Sequence, residues 1–390
     1  MSVQHRKIRM GMVGGGEGAF IGVVHRLAAN LDGVIELVCG AFSRDAENCK
    51  RTGRALCLDD SRCYTSYAEM FEAEKALPSE QRMEFVAVVT PNHLHFDVAK
   101  QALESGFHVL SDKPATFSLA EANALEKIVA KTGLLYGLTH TYLGYPLVKH
   151  AKQLVQDGAL GKVTKVVSHY HQGWLATPPS EDNKQAEWRL DPKTAGISCC
   201  MGDIGVHAAN LVEYITQDEI TELCADLTST VEGRVLDDDG CVIFKTKQGA
   251  KGIISASQIC VGDENDLSIK VYGDKASLFW RQEEPNSLWV KYQNAPSQLL
   301  RVGVGELSSE AQAAIRTPAG HPEGYIEAFA NIYKDFAKQV AIFGSDGLDE
   351  AEVPGIEHAV RGMAFIENVV YASQSEQKWH TLVLDANELK

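Results

Sequence analysis

Ile8-Arg9-Met10-Gly11-Met12-Val13 is a short apolar run that leads directly into Gly14-Gly15-Gly16-Glu17-Gly18-Ala19. An apolar-periodic stretch over about 20–31 follows, which is typical of a strand, a turn and a helix in succession. Glycines permit a tight turn, and a helix N-terminus presents unpaired N–H groups to a phosphate. The turn also satisfies the pattern G-x-G-x-x-A, so in this setting it predicts dinucleotide binding. A flexible glycine-rich turn without a ligand is the alternative.

The alternation of strand and helix continues through the first 140 residues. We predict further strands at 34–42, 85–89, 109–110 and 134–138, with helices at 94–104 and 119–131. Strands that alternate with helices of this length indicate parallel βαβ units. The first part of the chain is therefore predicted to be a doubly wound α/β domain.

The pattern changes after Tyr142. A helix at 146–156 and a strand at 163–171 precede a polar loop through Pro192 and a helix at about 203–215. Several β-rich segments follow between 222 and 301, with turn signals such as Asp237-Asp238-Asp239-Gly240 between them. They indicate a mostly antiparallel sheet, and helices near 324–340 and 356–373 complete the chain.

Length, charge and cysteine content exclude several classes of protein. A chain of 390 residues favours two domains, and a net charge of -15 argues against nucleic acid as a partner. The N-terminus has no apolar region typical of export, and no run of about 18 apolar residues predicts a membrane span. Nine cysteines without paired Cys-x-x-Cys motifs favour a reduced, cytoplasmic protein with no metal site. The adjacent Cys199-Cys200 is interpreted as a pair of small buried hydrophobes, with a metal or reactive role as the alternative.

The end of the second strand bears on the choice of cofactor. An NAD enzyme usually carries an acidic residue there, whereas this strand ends in Ser43 and Arg44. Arginine recognises phosphate in a bidentate manner, so these residues favour NADP over NAD. In the alternative interpretation, Arg44 is merely solvated and Asp45 caps the next helix.

Two polar segments stand at predicted strand ends, where open α/β sheets bind ligands. In Thr90-Pro91-Asn92-His93, Asn92 either contacts the cofactor or caps a helix. In Ser111-Asp112-Lys113-Pro114, proline restricts the backbone of Lys113 to extended conformations. Most lysines are solvated surface groups, but one held at a strand end is a candidate for chemistry.

With these motifs, the chain resembles the Gfo/Idh/MocA oxidoreductase family over nearly its whole length. The resemblance rests on the glycine turn, Thr90-Pro91-Asn92 with His95, Asp112-Lys113-Pro114, Trp188-Arg189 and Asp203-Ile204-Gly205-Val206-His207. It implies a Rossmann domain over 1–141 and, over 142–390, a substrate-binding and oligomerisation α/β domain with an open sheet. The cofactor contacts that we expect from motif and resemblance together are Gly14, Gly16, Gly18, Ala19, Phe20, Ser43, Arg44, Thr90, Pro91, Asn92, His95, Asp112 and Lys113.

The resemblance also implies that Lys113, Asp203 and His207 occupy catalytic positions. The i, i+4 spacing places Asp203 and His207 on one face of a helix. The ordinary pKa of histidine, about 6.5, suits removal of a hydroxyl proton near neutral pH, so His207 is the expected general base. Lys113 would stabilise negative charge on the same oxygen, and Asp203 would orient the substrate or the lysine. The expected enzyme is an NAD(P)-dependent dehydrogenase acting on a secondary hydroxyl of a sugar, inositol or glycoside.

The expected sugar pocket combines aromatic faces, which stack on C–H surfaces, with polar groups. Trp174 and Trp188 are alternatively core residues, and Tyr325 is a weaker substrate candidate at the start of a late helix. The chain departs from the family pattern at Asp112, where glutamate is common, and after Gly196, where a glycine run is frequent, so the substrate's identity does not transfer. The expected substrate contacts are Lys113, His140, Tyr142, Trp174, Trp188, Arg189, Asp203 and His207.

Three alternative functions are compatible with parts of the sequence. A non-catalytic nucleotide sensor of the same fold would be favoured if Lys113 or His207 were missing, but both are present. An imine or enone reductase would need fewer hydroxyl-binding groups. A metal-dependent hydrolase built on His93, His95, Asp203 and His207 lacks a local HExxH motif. Whichever function holds, an exposed face on the second sheet would predict a homodimer or homotetramer.

Overall fold

The computed structural model describes residues 6–178, 188–344 and 353–389. The chain forms two compact units. The first contains Met1–Phe117, Glu121–His140 and Phe329–Val360, and the second contains Ser118–Ala120, Thr141–Ala328 and Arg361–Lys390. Residues 179–187, which belong to the polar loop predicted before Pro192, lie outside the described residues.

A parallel sheet forms the centre of the first unit. Its strands are β1 (Ile8–Gly14), β2 (Ile35–Ala41), β3 (Phe85–Val89), β4 (His108–Ser111) and β5 (Tyr136–Leu138). They are ordered β2-β1-β3-β4-β5, and each neighbouring pair is parallel. The chain reverses its direction of winding between β1 and β3, which is where such sheets bind ligands at the carboxyl ends of their strands. The predicted parallel α/β domain is confirmed.

Apolar packing of the helices explains the strand composition of this sheet. All five residues of β3 are buried, because helices cover both faces of a parallel sheet. Met70, Phe71 and Phe107 are buried in the same core. The helices that precede or follow these strands are α1 (Phe20–Leu31), α2 (Ala46–Ala55), α3 (Tyr67–Ala76), α4 (His95–Glu104) and α5 (Leu119–Thr132).

The second unit contains a large mixed sheet, in which the described residues form nine strands. Every neighbouring pair is antiparallel except β6 and β9, so the predicted mostly antiparallel sheet is confirmed. The strands are β6 (Val163–His171), β7 (Ile220–Thr228), β8 (Asp239–Thr246), β9 (Lys251–Ser257), β10 (Asp266–Gly273), β11 (Ala276–Arg281), β12 (Ser287–Tyr292), β13 (Gln298–Arg301) and β14 (His380–Thr381). Their order is β13-β12-β11-β10-β6-β9-β8-β7-β14.

Helices cover one face of this sheet. Within the described residues, the remaining α-helices are α6 (Pro146–Gln156), α7 (Pro192–Ala195), α8 (Val206–Thr216), α9 (Ser309–Ala313), α10 (Tyr325–Ile342) and α11 (Ile356–Ser373). Helix α8 packs on β6 and β10 and against α6. Burial alternates along β8, as expected for strands with one covered face. Exposed apolar side chains on the strands of the sheet include Ile243, Tyr272, Trp289 and Leu299.

The division of the chain differs from a single cut at residue 141. The N-terminal part of the first unit ends at His140, but the unit also includes Phe329–Val360. Phe336 packs edge-on against Phe85 of β3, with ring centroids 5.3 Å apart, and the Leu138 N–H donates to the Pro354 carbonyl at 2.8 Å. These contacts pack the segment against the parallel sheet, although it lies near the end of the sequence.

None of the helices in the described ranges has both the length and the apolar character needed to cross a membrane.

Candidate active site

The glycine turn adopts a conformation that side chains would not permit. Gly14, Gly15 and Gly18 have φ values of 86°, 70° and 91°. A Cβ on Gly14 would lie 2.4 Å from the Val89 carbonyl oxygen, and one on Gly16 would lie 2.8 Å from the Phe42 carbonyl oxygen. No side chain caps the start of α1 at Ala19. The turn and the helix N-terminus therefore leave the narrow, uncapped cradle that a dinucleotide pyrophosphate requires.

Two residues that were not predicted from the sequence hold this cradle. Gly22, one turn into α1, approaches the turn so closely that a Cβ there would lie 2.4 Å from the Gly15 Cα. Arg26 Nη1 donates to the Gly15 carbonyl oxygen at 2.6 Å. A small residue one helical turn after the glycine motif is the sequence signal that could have identified the first of them.

The carboxyl end of β2 carries the predicted cofactor-discriminating pair. The Asp45 N–H donates to Ser43 Oγ at 3.1 Å, and the Asp45 carboxylate accepts the Asn48 N–H at 2.7 Å. The N-cap role of Asp45 is thus confirmed. Arg44 is exposed at this edge. It has both the charge and the exposure that contact with a 2′-phosphate would require.

Thr90-Pro91-Asn92 leads from β3 into a short 3-10 turn, Asn92–Leu94, before α4. Asn92 is buried within this turn, and no side chain caps α4, so the capping interpretation of Asn92 is wrong. His95 is also buried, with Nδ1 2.7 Å from the Pro114 carbonyl oxygen and Nε2 2.7 Å from that of Thr90. Burial lowers the pKa of His95. A neutral imidazole has a single N–H, so the ring donates to one of these two carbonyl oxygens at a time, and the cofactor contact of His95 stays a prediction.

Asp112 is the centre of a polar chain beside Lys113. Its Oδ1 accepts the Lys113 N–H at 2.8 Å and the Thr139 hydroxyl at 2.9 Å. Its Oδ2 lies 3.5 Å from His25 Nε2, and His25 Nδ1 in turn lies 2.7 Å from the Tyr333 hydroxyl. Burial alone would raise the pKa of Asp112, but the neighbouring His25 and the charge of Lys113 hold it well below its usual range. Asp112 is thus an ionised group that fixes the backbone of Lys113.

His140, a predicted substrate contact, lies in the first unit immediately after β5. Its side chain is buried. Burial lowers the pKa of His140 to about 3, with further lowering by the charges of His358 and Lys113. The imidazole is therefore neutral at physiological pH.

In the second unit, His207 stands among aromatic rings. Its ring centroid is 4.8 Å from that of Tyr142 in an edge-on arrangement and 6.2 Å from that of Tyr170. The two tyrosine hydroxyls are hydrogen-bonded to each other, and Tyr170 also donates to Asn265 Oδ1 at 2.7 Å. Burial raises the pKa of both tyrosines, so both hydroxyls stay protonated. A third ring, that of Tyr325, lies 6.4 Å from Tyr142.

Asp203 lies one helical turn before His207, as predicted, but on a different kind of helix. Met201–Gly205 form a π-helical turn, and the α-helix begins only at Val206. One carboxylate oxygen of Asp203 accepts hydrogen bonds from Arg189 Nε and Gln258 Nε2, each at 3.1 Å. Single π-helical turns are rare and occur frequently at functional sites. The predicted pair is thus confirmed as neighbours on one continuous helical segment.

Asp237 lies in the predicted turn before β8 and holds this segment in place. It is buried, and its carboxylate accepts Ser198 Oγ at 3.0 Å and the N–H groups of Cys199 and Met201, each at 2.9 Å. Burial raises the pKa of Asp237, although these hydrogen bonds oppose the shift. Cys199 and the adjacent Cys200 are buried free thiols, which confirms the interpretation of the cysteine pair as small hydrophobes.

The two tryptophans predicted for the pocket lie next to the guanidinium of Arg189. The Arg189 guanidinium lies 4.3 Å from the centroid of Trp188 and 6.0 Å from that of Trp174. Trp174 is 40% exposed and Trp188 half-buried, so the core interpretation of these residues is wrong. Trp174 Nε1 donates to Gln172 Oε1 at 2.9 Å. Asp203, Arg189 and the tryptophans therefore form one polar and aromatic group, while Lys113 and the glycine turn belong to the first unit.

Comparisons with known proteins match both units. Residues 8–140 match a family model described as an oxidoreductase family with an NAD-binding Rossmann fold, and residues 148–279 match a model of the GFO/IDH/MocA C-terminal domain. An uncharacterised oxidoreductase of Bacillus subtilis is 34% identical over 383 residues, covering 96% of each chain.

Solved structures agree with this assignment. An inositol dehydrogenase homologue from Azotobacter vinelandii complexed with NAD+ is 35% identical, covers 96% of this chain and 97% of its own, and superposes with a TM-score of 0.93. A structure of an inositol dehydrogenase homologue from the same organism, complexed with NADH and myo-inositol, gives 34% identity, coverage of 96% and 98%, and a TM-score of 0.91. A levoglucosan dehydrogenase of Pseudarthrobacter phenanthrenivorans is 25% identical, with 75% of this chain and 78% of that protein covered.

Proposed function

Because the chain belongs to the Gfo/Idh/MocA oxidoreductase family, we propose that it is an NAD(P)-dependent dehydrogenase that acts on a secondary hydroxyl of a sugar, inositol or glycoside. The observation that carries the proposal is the placement of Asp203 and His207 on one helical segment, next to Arg189 and two tryptophans. A polar group flanked by aromatic faces suits a polyol, which offers hydroxyls at its edge and C–H groups on its faces. The inositol complex of the related structure is consistent with this substrate class.

The residues of the chain divide the chemistry between them. When bound, a nicotinamide cofactor would supply the acceptor for the hydride of the carbinol carbon. His207 is proposed to take the hydroxyl proton as general base, and Lys113 is proposed to stabilise the negative charge that develops on the substrate oxygen. Asp203, held by Arg189 and Gln258, orients the substrate. The carboxylate of Asp112 positions Lys113 through its backbone N–H.

Steady-state kinetics of a lysine variant test this assignment. Lys113→Ala is expected to lower kcat by orders of magnitude with little change in the Kd of the cofactor, because the lost interaction acts on the reacting oxygen. The assay is absorbance of reduced nicotinamide with a panel of inositols, hexoses and glycosides. Lys131→Ala, at an exposed position late in α5, is the matched control. Turnover retained in Lys113→Ala would refute the role.

Cofactor choice depends on the edge of β2. We propose that the exposed Arg44, with Ser43, favours NADP over NAD. Comparison of the two Kd values in the wild type and in Arg44→Ala checks this. A preference for NAD in the wild type, or an unchanged NADP affinity in Arg44→Ala, would overturn it.

We propose five further residues as substrate contacts: Trp174, Trp188, Arg189, His140 and Tyr142. Because Trp174 is the most exposed ring of the group, Trp174→Ala is expected to raise KM more than it lowers kcat. An unchanged KM would remove Trp174 from the pocket.

We further propose a cytoplasmic homodimer or homotetramer. All nine cysteines are free thiols, which favours a reducing compartment. The exposed apolar residues Ile243, Tyr272, Trp289 and Leu299 on the second sheet favour association through that surface. Light scattering of the purified protein tests the oligomer, and a monomer would contradict it.

A further inference from the structure

Three potential metal ligands converge at the end of β6, outside the residues assigned to the reaction. His171, Cys260 and Asp263 each offer one ligand atom, and these atoms all lie within 4.8 Å of one another. His171 Nδ1 is 3.8 Å from Asp263 Oδ2. The Cys260 thiol is free and half-buried.

Backbone contacts hold the ligand-bearing loop against the strand end. The Cys260 N–H donates to the Gln172 carbonyl oxygen at 2.9 Å, and the Gly173 N–H donates to the Asp263 carbonyl oxygen at 2.9 Å. The Asp263 N–H closes a turn onto the Cys260 carbonyl oxygen at 3.1 Å. A Cβ on Gly173 would lie 2.6 Å from that same oxygen, so only glycine permits the approach. The three side chains are thus brought together by a defined loop and not by chance surface proximity.

The Cys260-Val261-Gly262-Asp263 turn has its two ligands separated by two residues, as the paired cysteines of many zinc sites are. Gly262 has a φ of 107°, which only glycine adopts readily. The ligand atoms of this turn lie within 4.8 Å of each other and of that of His171. The sequence alone predicts no metal site here, because His171 lies far before this turn and no second cysteine completes a familiar motif.

The surroundings of His171 prepare it as a ligand. Its Nε2 lies 2.9 Å from Ser255 Oγ, the kind of outer hydrogen bond that orients metal-bound imidazoles.

We infer that His171, Cys260 and Asp263 form a Zn²⁺ site with three protein ligands and one position for water. Thiolate, imidazole and carboxylate together favour Zn²⁺. In tetrahedral coordination the ligand atoms would be about 3.4–3.6 Å apart, so the group closes by about 1 Å on binding. Cys260 loses its thiol proton to solvent as the metal–sulfur bond forms.

The site lies apart from the residues proposed for hydride transfer. Successive side chains of a strand point to opposite faces, so His171 lies on the face opposite Tyr170, which contacts Tyr142. A bound ion would fasten the 260–263 loop to the end of β6, directly before Trp174. Zinc is therefore expected to raise the Tm without taking part in hydride transfer.

Cobalt substitution and calorimetry test the site on the full-length, reduced, chelator-treated protein. Wild-type protein is expected to bind one Zn²⁺ by titration calorimetry, and Co²⁺ is expected to give a thiolate charge-transfer band with intense visible bands of tetrahedral coordination. Cys260→Ser should abolish the charge-transfer band and weaken zinc binding at least tenfold. Cys57→Ser, which removes an exposed thiol in the first unit, should change neither.

A second variant distinguishes loss of a metal ligand from loss of the fold. Asp263→Asn, which leaves every thiol intact, should also weaken zinc binding, and it keeps the test valid if Cys260→Ser does not fold. Absence of the charge-transfer band in the wild type, or its survival in Cys260→Ser, would overturn the inference. Binding lost equally in Cys57→Ser would do the same. Dehydrogenase activity is measured separately and carries no weight in either result.

Discussion

Replacing Gly22 by alanine is expected to separate α1 from the glycine turn. The new Cβ would lie 2.4 Å from the Gly15 Cα and 2.7 Å from the Gly15 carbonyl oxygen. Carbon atoms in contact are about 3.5–4.0 Å apart, so the turn or the helix must move by about 1 Å. Overpacking of this kind typically lowers the free energy of unfolding by about 1–3 kcal/mol. A misplacement of about 1 Å can cost a factor of about 100 in function. We therefore expect the Kd of the reduced dinucleotide to rise by about 10- to 100-fold.

Fluorescence titration with NADH and NADPH measures this change, with the unfolding midpoint in urea recorded for the same protein. Gly355→Ala is the matched control, because its Cβ would meet the nearest atom, the Tyr136 carbonyl oxygen, at an ordinary 3.7 Å. The control should keep the affinity of the wild type. Wild-type Kd values in Gly22→Ala would refute the reasoning that this contact shapes the cofactor cradle.

Three further predictions concern buried polar groups of the first unit. Tyr333→Phe leaves His25 Nδ1 without its hydroxyl partner and should lower the free energy of unfolding by about 1–3 kcal/mol; an unchanged urea midpoint would contradict this. Glu74→Ala removes the buried carboxylate that accepts two hydrogen bonds from Arg62 and leaves the guanidinium without this partner. In the same assay it should lower the free energy of unfolding by about 3–5 kcal/mol. Burial lowers the pKa of His108 to about 4, so the unfolded chain binds its proton first and stability should fall as pH drops from about 6.5 to 4. His108→Asn should flatten that part of the pH profile, and an unchanged profile would exclude His108 as its cause.

Local patterns were sufficient to predict the first sheet and the glycine turn. The continuous apolar run of β3 and the short apolar strand before Gly14 are strong signals because a parallel sheet is buried on both faces. The order of strands is consistent with right-handed crossovers. In the same way, the i, i+4 spacing of Asp203 and His207 sufficed to place them on one helical segment.

What the sequence did not reveal depends on contacts between distant segments. The periodicity of α10 does not show that Phe336 packs on Phe85. An amphipathic pattern predicts that one face of a helix is buried, but not which segment covers that face. The role of Asp237 was not predicted for a related reason. Its sequence context predicts a turn, and only the fold shows that the Asp237 carboxylate accepts backbone N–H groups of the segment before Asp203.

These distant contacts extend to the residue proposed to do the chemistry. Lys113 is held through its backbone by Asp112, and Asp112 stays ionised in a largely buried place because His25 lies beside it. His25 is in turn anchored by Tyr333, which is 308 residues away in sequence. Tyr333 lies in Phe329–Val360, the part of the first unit that follows most of the second unit in sequence. The position of Lys113 therefore depends on a chain segment near the end of the sequence. A truncation before Phe329 would therefore be expected to impair Lys113 even though the whole five-stranded sheet is encoded upstream of it.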